Sequence, residues 1–259
     1  MAGYTAADVK KLREETGAPM MECKSALEEA EGDYAKAKDI LRQKGQAAAA
    51  KRADRSTGAG VVAFASNGDA VSGVVFECET DFVSRNEDFI ALAQQAAEAG
   101  LTDDSKFAEL AQEATAKFRE LSKVTKYVKL PAGSVTYVHH DKTKGAAVTA
   151  NPPSDAVKKV AIQVVAFPPQ VVSKDQLSQE LLDKEIELET KRAIDEGKPE
   201  NIARNIAQGR VNKEYIKQIV LLEQPFYADA SKSVNQYLAE EAKGTTVTGF
   251  EYLAVGQGG

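Results

Sequence analysis

A chain of 259 residues, 43% hydrophobic and 28% charged, is long enough to bury a sizeable core and to divide into more than one domain. Its net charge of −6 opposes a phosphate backbone, and with no Trp and 7% aromatic residues it has few platforms for stacking bases, so direct nucleic-acid binding is not expected. The longest apolar run, 160–167, is broken by Gln163 and too short to span a bilayer, and the N-terminus has no apolar signal core. Two cysteines, Cys23 and Cys78, lie far apart without metal-ligand spacing, which points to a reduced, cytoplasmic setting, or an organellar stroma or matrix after removal of a transit peptide.

Residues 5–43 read as three short helices. Thr5 and Asp8 form a capping arrangement for the first, with Val9, Leu12 and Thr16 on one face. Gly17-Ala18-Pro19 ends it, and Met20, Cys23 and Leu27 then recur as one apolar stripe. Asp33 caps a third helix with Tyr34, Ala37 and Leu41 on its face. Residues 44–60 read as a basic linker, helical and then flexible, containing Lys44, Lys51, Arg52 and Arg55.

Two strands follow, 60–66 and 70–77, joined at Asn67-Gly68, a strong hairpin signal. Asn86 caps a helix with Phe89, Leu92, Ala93 and Ala96 on one face, and a second periodic segment covers about 103–122. Strands at 134–140 and 145–150, then an apolar helix over 157–167, repeat that order, so two related subdomains are expected. Residues 174–221 read as a projecting helical hairpin turned at Gly197-Lys198-Pro199. Leu177, Leu181 and Leu188 mark one arm, Ile202, Ile206, Ile216 and Ile219 the other, with Glu180–Lys184 and Glu187–Lys191 as favourable pairs. A helix near 231–242 and a strand over 246–255 return to the core.

Chemistry is harder to find. Neither Gly58-Ala59-Gly60, which leads into a strand, nor the terminal Gly256-Gln257-Gly258-Gly259 has the setting of a phosphate-cradling loop. His139 and His140 are adjacent, and on a regular strand they face opposite ways and cannot share one ion. Cys23 sits on an apolar stripe, and Cys78 has no histidine nearby in sequence. No catalytic residue, metal site or cofactor is expected.

The run Glu77-Cys78-Glu79-Thr80-Asp81-Phe82-Val83 stands out. Read from its residues alone, Thr80 or Asp81 caps the next turn and Phe82 enters the core. Together with Thr16-Gly17-Ala18-Pro19-Met20-Met21-Glu22-Cys23-Lys24, however, it closely resembles bacterial-type elongation factor Ts. Gly197-Lys198-Pro199, Gln224-Pro225-Phe226, Ser231-Lys232-Ser233-Val234 and Val247-Thr248-Gly249-Phe250 corroborate the resemblance in order along essentially the whole chain.

The resemblance implies an α+β protein: a ubiquitin-associated-like three-helix bundle at 1–45, a linker at 46–58, and a two-subdomain core with antiparallel strands. That core covers 59–130 and then 131–173 with 222–259, and 174–221 is an inserted coiled-coil hairpin. It implies a guanine-nucleotide exchange factor, not an enzyme, whose partner is the GTPase elongation factor Tu. Thr80, Asp81, Phe82 and Val83 would meet that partner and disturb its bound Mg²⁺. Lys24, Met20, His139 and Tyr227 would add contacts, Tyr227-Ala228 standing where the family has a hydrophobic pair. Open alternatives are a peptide- or nascent-chain-binding scaffold without exchange activity, and a dimer through the hairpin or a 2:2 complex.

Overall fold

The computed structural model describes residues 3–50 and 55–257, so Lys51 and Arg52 of the basic linker and the last two glycines lie outside the described residues. The chain is mixed α+β and divides into two compact units, 1–129 with 140–144 and 253–259, and 130–139 with 145–252.

The first unit opens with three helices, α1 (Ala6–Thr16), α2 (Met20–Glu29) and α3 (Tyr34–Ala50). Thr5 and Asp8 form a reciprocal capping box, and Gly17 at φ 66° supplies the left-handed turn that ends α1. Asp33 accepts from the Lys36 amide at 3.0 Å and so starts α3. Val9, Leu12, Cys23, Ala26, Leu27, Ala37 and Leu41 make the bundle's core. Met20 departs from the expected stripe: it is 44% exposed while Cys23 and Leu27 are fully buried. As the first residue of α2 it lies at the rim, beyond the reach of the facing helices.

Strands β1 (Ala59–Ser66) and β2 (Ala70–Cys78) pair antiparallel with Ser66 opposite Val71. That register makes Gly68 and Asp69 the two loop residues. Gly68 has φ 93° and Asp69 has no positive φ, the pattern of a type II′ turn, so the glycine takes the first central position. Asn67 precedes the turn and its Oδ1 accepts from the amides of Asp69 (3.1 Å) and Ala70 (2.9 Å).

After β2 come α4 (Asp81–Ser84), α5 (Glu87–Ala99), α6 (Lys106–Phe118) and β3 (Lys123–Pro131), which completes a sheet of order β1-β2-β3. One face of the hairpin packs on α5 and α6 through Val61, Val74, Phe76, Phe89 and Ala93. The other packs Val62 and Val75 against Leu253. Covered on both faces, the strands are apolar almost continuously instead of alternating.

The second unit contains β4 (Ser134–Val138), β5 (Lys144–Asn151) and α7 (Val157–Ala166). The helical arm follows as α8 (Gln179–Asp195), α9 (Glu200–Arg210), a wide π turn at Val211–Tyr215 and α10 (Ile216–Ile219). Then come β6 (Pro225–Phe226), β7 (Asp229–Ser233), α11 (Val234–Glu241) and β8 (Thr246–Ala254). The sheet order is β4-β5-β8, with β6 and β7 as a separate pair. Ala146, Val148 and Ala150 alternate inward from β5 onto Val157, Val160, Ala161 and Val164 of α7.

Where the arm begins and ends, the expected seam forms, with Leu177 and Leu181 packed against Ile216 and Ile219; nearer the turn it differs. Leu182, Ile186, Ala207 and Val211 pack together, with Ala193 and Ala203 also buried, whereas Leu188 and Ile202 are exposed. Small alanines let the two helices approach closely, so the isoleucine beside each turns outward. The pairs Glu180–Lys184 and Glu187–Lys191 are not among the described ion pairs. Arg210 instead bridges Glu189 and Glu196. Among the described residues no helix is long and apolar enough to cross a membrane.

Candidate functional site

Phe82 is 85% exposed, the most exposed of the large hydrophobic side chains among the described residues, so the expectation that it enters the core is overturned. The reason is local. Helix α4 is a single turn, and its neighbour Val83 takes the inward position against the Val61–Phe89 core. Val83 and the buried Ser84 fill the inward side of that turn, and Phe82 faces water.

The backbone beneath that phenylalanine is held by three carboxylates. Glu77 is buried, and its oxygens accept from the Thr57 hydroxyl at 2.7 Å and the Gly256 amide at 2.9 Å. Glu79 accepts from the Leu121 amide at 2.7 Å and pairs with Arg55 at 3.1 Å. Glu120 accepts from both the amide (2.9 Å) and the hydroxyl (2.6 Å) of Thr80. Hydrogen bonds to an ionised acceptor are about twice as strong as neutral ones, so the turn is pinned at three successive points of its approach.

Thr80 occupies the N-cap of α4 in extended geometry, but its hydroxyl is committed to Glu120 and makes no side-chain cap. Asp81 pairs with Arg85 one turn on at 3.0 Å and stands at the helix N-terminus, where a negative charge is favourable. The Cys78 thiol donates to the Thr80 carbonyl at 3.2 Å. Burial first, then the negative charge of Glu120, push that thiol up to about 12, so it is a protonated donor and not a nucleophile.

The other sequence-derived residues fall in two places. Met20 and Lys24 are four apart on α2, in the same unit as Phe82, and Lys24 makes only a loose pair with Glu28 at 3.8 Å. Met21, which the sequence reading did not single out as a site residue, is 72% exposed beside them. Two adjacent exposed methionines form an adaptable apolar surface. His139 and Tyr227 belong to the second unit.

His139 follows the end of β4, and its Nδ1 lies 3.2 Å from the Tyr137 hydroxyl. Tyr227 is 40% exposed, with its ring 4.9 Å from that of Phe226. Its amide donates to Gln163 at 2.7 Å, and Gln163 in turn donates to Gln224 at 2.9 Å. Gln224 donates to the carbonyls of Phe167 and Gln218. This buried, well-partnered amide pair fixes the Gln224-Pro225-Phe226 turn and explains a glutamine in the middle of an apolar helix. Among the described residues no group of three His, Cys, Asp or Glu side chains could hold a metal ion.

Comparison with known proteins places this architecture. A family model described as Elongation factor TS matches residues 79–257. Elongation factor Ts of Corynebacterium jeikeium (strain K411) is 39% identical over 278 positions, covering 99% of this chain and all of its own length. Elongation factor Ts of Nocardia farcinica (strain IFM 10152) is also 39% identical, over 286 positions with the same coverage. That of Christiangramia forsetii (strain DSM 17595 / CGMCC 1.15422 / KT0803) is 38% identical over 275 positions, again covering 99% of this chain and all of its own.

Proposed function

This chain belongs to the elongation factor Ts family, and on that premise we propose that it binds the GTPase elongation factor Tu in its GDP form and promotes GDP release, allowing GTP to load. The observation that carries this reading is Phe82, 85% exposed on a turn whose backbone is pinned by Glu77, Glu79 and Glu120. An apolar ring held in water on a fixed turn is ready to bury itself in a partner without first paying to order its own backbone. In this reading Phe82 wedges beside the partner's nucleotide site, with Thr80, Asp81 and Val83 shaping the contact, and the partner's Mg²⁺ is displaced. Losing that ion removes the charge that neutralises the phosphates.

Magnitudes limit what the wedge does alone. Turning a GDP-bound GTPase mostly empty by ~10⁴-fold takes about 5.5 kcal/mol of differential binding. Burying one phenylalanine supplies about 1.5–3 kcal/mol. Met20 and Lys24 on α2, and His139 and Tyr227 in the second unit, are therefore proposed as docking contacts that hold the GTPase while the wedge acts. Linkage requires GDP to weaken this protein's grip by the same factor that the protein weakens GDP's. No covalent step is involved.

The test is release of fluorescent GDP from elongation factor Tu after a chase with unlabelled nucleotide. Phe82→Ala is expected to slow the accelerated release by about 10-fold or more. Its folding stability should change by no more than about 0.5 kcal/mol, because the side chain is exposed. If Phe82→Ala and Asp81→Ala both released GDP at the unmodified rate, the wedge would be lost. Binding without acceleration by the unmodified protein would leave a scaffold instead.

A further inference from the structure

Helix α6 ends in a turn that touches each part of the candidate site in its unit. Arg119 closes the helix in left-handed conformation, φ 62°, with its amide bonded to the Thr115 carbonyl at 3.0 Å. A non-glycine residue is held there at a cost of roughly 1 kcal/mol, so the surrounding contacts must favour it. Those contacts point three ways. The Arg119 guanidinium pairs with Glu22 on α2, the helix that carries Met20 and Lys24. The Glu120 carboxylate takes both Thr80 donors, and the Leu121 amide donates to Glu79. Ser122 then closes the turn by donating its amide to the Thr115 hydroxyl at 3.0 Å.

We propose that Arg119-Glu120-Leu121 is a positioning clamp for the exchange wedge, with Glu120 the residue that aims Phe82. Glu120 does not touch the partner in this account; it acts through Thr80. Its two oxygens fix the amide and hydroxyl of the residue immediately before α4, so they set the direction in which the single turn leaves the sheet. The Cys78 thiol and the Ser84 amide hold the Thr80 carbonyl from within the segment, and Glu120 holds its amide and hydroxyl from outside it. The left-handed Arg119 is what delivers Glu120 to Thr80 instead of continuing α6.

This inference rests on the exchange reading, and the test separates the two. The rate of fluorescent-GDP release from elongation factor Tu is measured against increasing concentrations of this protein, for the full chain and for Glu120→Ala. The alanine removes both oxygens that accept from Thr80, whereas a glutamine would keep both contacts by donating to the Thr80 hydroxyl. The maximal release rate is expected to fall about 10-fold, as for a misplaced reacting group, while the half-saturating concentration moves by less than about 2-fold because the docking residues are untouched.

Thr80→Val should lower the maximal rate as well, and the double variant should lose less than the product of the two single losses, since both remove the same contact. Amide hydrogen exchange at Thr80 and Asp81 is expected to quicken in Glu120→Ala while the core amides of β2 stay protected. If a folded Glu120→Ala kept its maximal rate, or lost it only through weaker half-saturation, or if the double variant showed the full product, the clamp would be overturned. If the full chain itself failed to accelerate release, the exchange reading would fall first. Should Glu120→Ala not fold, Glu120→Asp, whose shorter side chain cannot reach both Thr80 groups, is put through the same rate-against-saturation split and decides the proposal.

Discussion

The turn that carries Phe82 and the tip of the helical arm are both small, exposed structures, and they are held by different means. The turn rests on buried or half-buried carboxylates that accept main-chain amides: Glu77 from Gly256, Glu79 from Leu121, Glu120 from Thr80. The arm tip rests on side-chain ion pairs around Arg210 and on a narrow seam of Leu182, Ile186, Ala207 and Val211. Carboxylates that accept main-chain amides fix backbone direction, whereas the part-buried ion pairs of Arg210 join side chains only and are partly screened by salt. The difference teaches that one surface is built to present a side chain at a set angle, and the other to reach outward on a compliant stalk.

The comparison breaks most readily at Glu77. Glu77→Ala leaves the Gly256 amide and the Thr57 hydroxyl without their acceptor beneath the turn. We expect a loss of about 3 kcal/mol in urea unfolding of the whole first unit. A loss below about 1 kcal/mol would mean that water replaces the carboxylate easily, and that the turn is no better anchored than the arm.

A smaller and more local effect is expected from Ile186→Ala, which trims the seam between α8 and α9. The cost should lie near the lower end of large-to-small substitutions, about 2 kcal/mol, because a two-helix seam can close over the lost side-chain carbons more easily than a domain core. It should appear as faster amide exchange along α8 and α9, with exchange around Phe76 unchanged. Equal loosening of both regions would show that the arm is not a separate cooperative element.

Local chemistry carried much of the fold into view. Thr5, Asp33 and Asn86 cap the helices they precede, and Asn67-Gly68 marks the tight turn. Each of these works through partners within three residues, so the sequence displays cause and effect side by side. Strand β3 was not read at all: Lys123, Lys126 and Lys129 stay toward water while Val124, Tyr127 and Val128 pack inward, which gives no clean alternation. In the arm, Leu177 and Leu181 meet Ile216 and Ile219 as their spacing predicts, whereas Leu188 gives way to Leu182 and Ile186, and only the alanines of α9 decide that. The site was the least legible part. Phe82 sits on one turn, too short to have a periodicity, and the Glu120 that holds Thr80 is 40 residues away. Gln163 finds Gln224 at a separation of 61 residues. Family resemblance pointed to Phe82, but its supports could be seen only in three dimensions.

The smallest effect expected is at the arm tip in acid. The Glu196 carboxyl is held below its ordinary value of 4.5, chiefly by the hydrogen bond it accepts from Arg210 at 3.2 Å; partial burial opposes this, and the charges of Arg210 and Arg192 add to it. A carboxyl depressed in the folded state binds its proton more readily when the arm opens, so opening takes up protons as the pH falls. The contribution is therefore complete above the ordinary value and is lost as pH drops through the depressed one. Glu196 is well solvated, so the change belongs to the tip and not to the global melting curve. Amide exchange at Gly197 and Lys198, whose amides bond the Ile194 and Ala193 carbonyls, should quicken below that range relative to residues of the β1–β2 hairpin, after allowance for intrinsic pH dependence. Glu196→Gln should bring the same loosening at neutral pH and abolish its dependence on acid. If the variant's tip still loosened in acid, Glu196 would not be the group responsible.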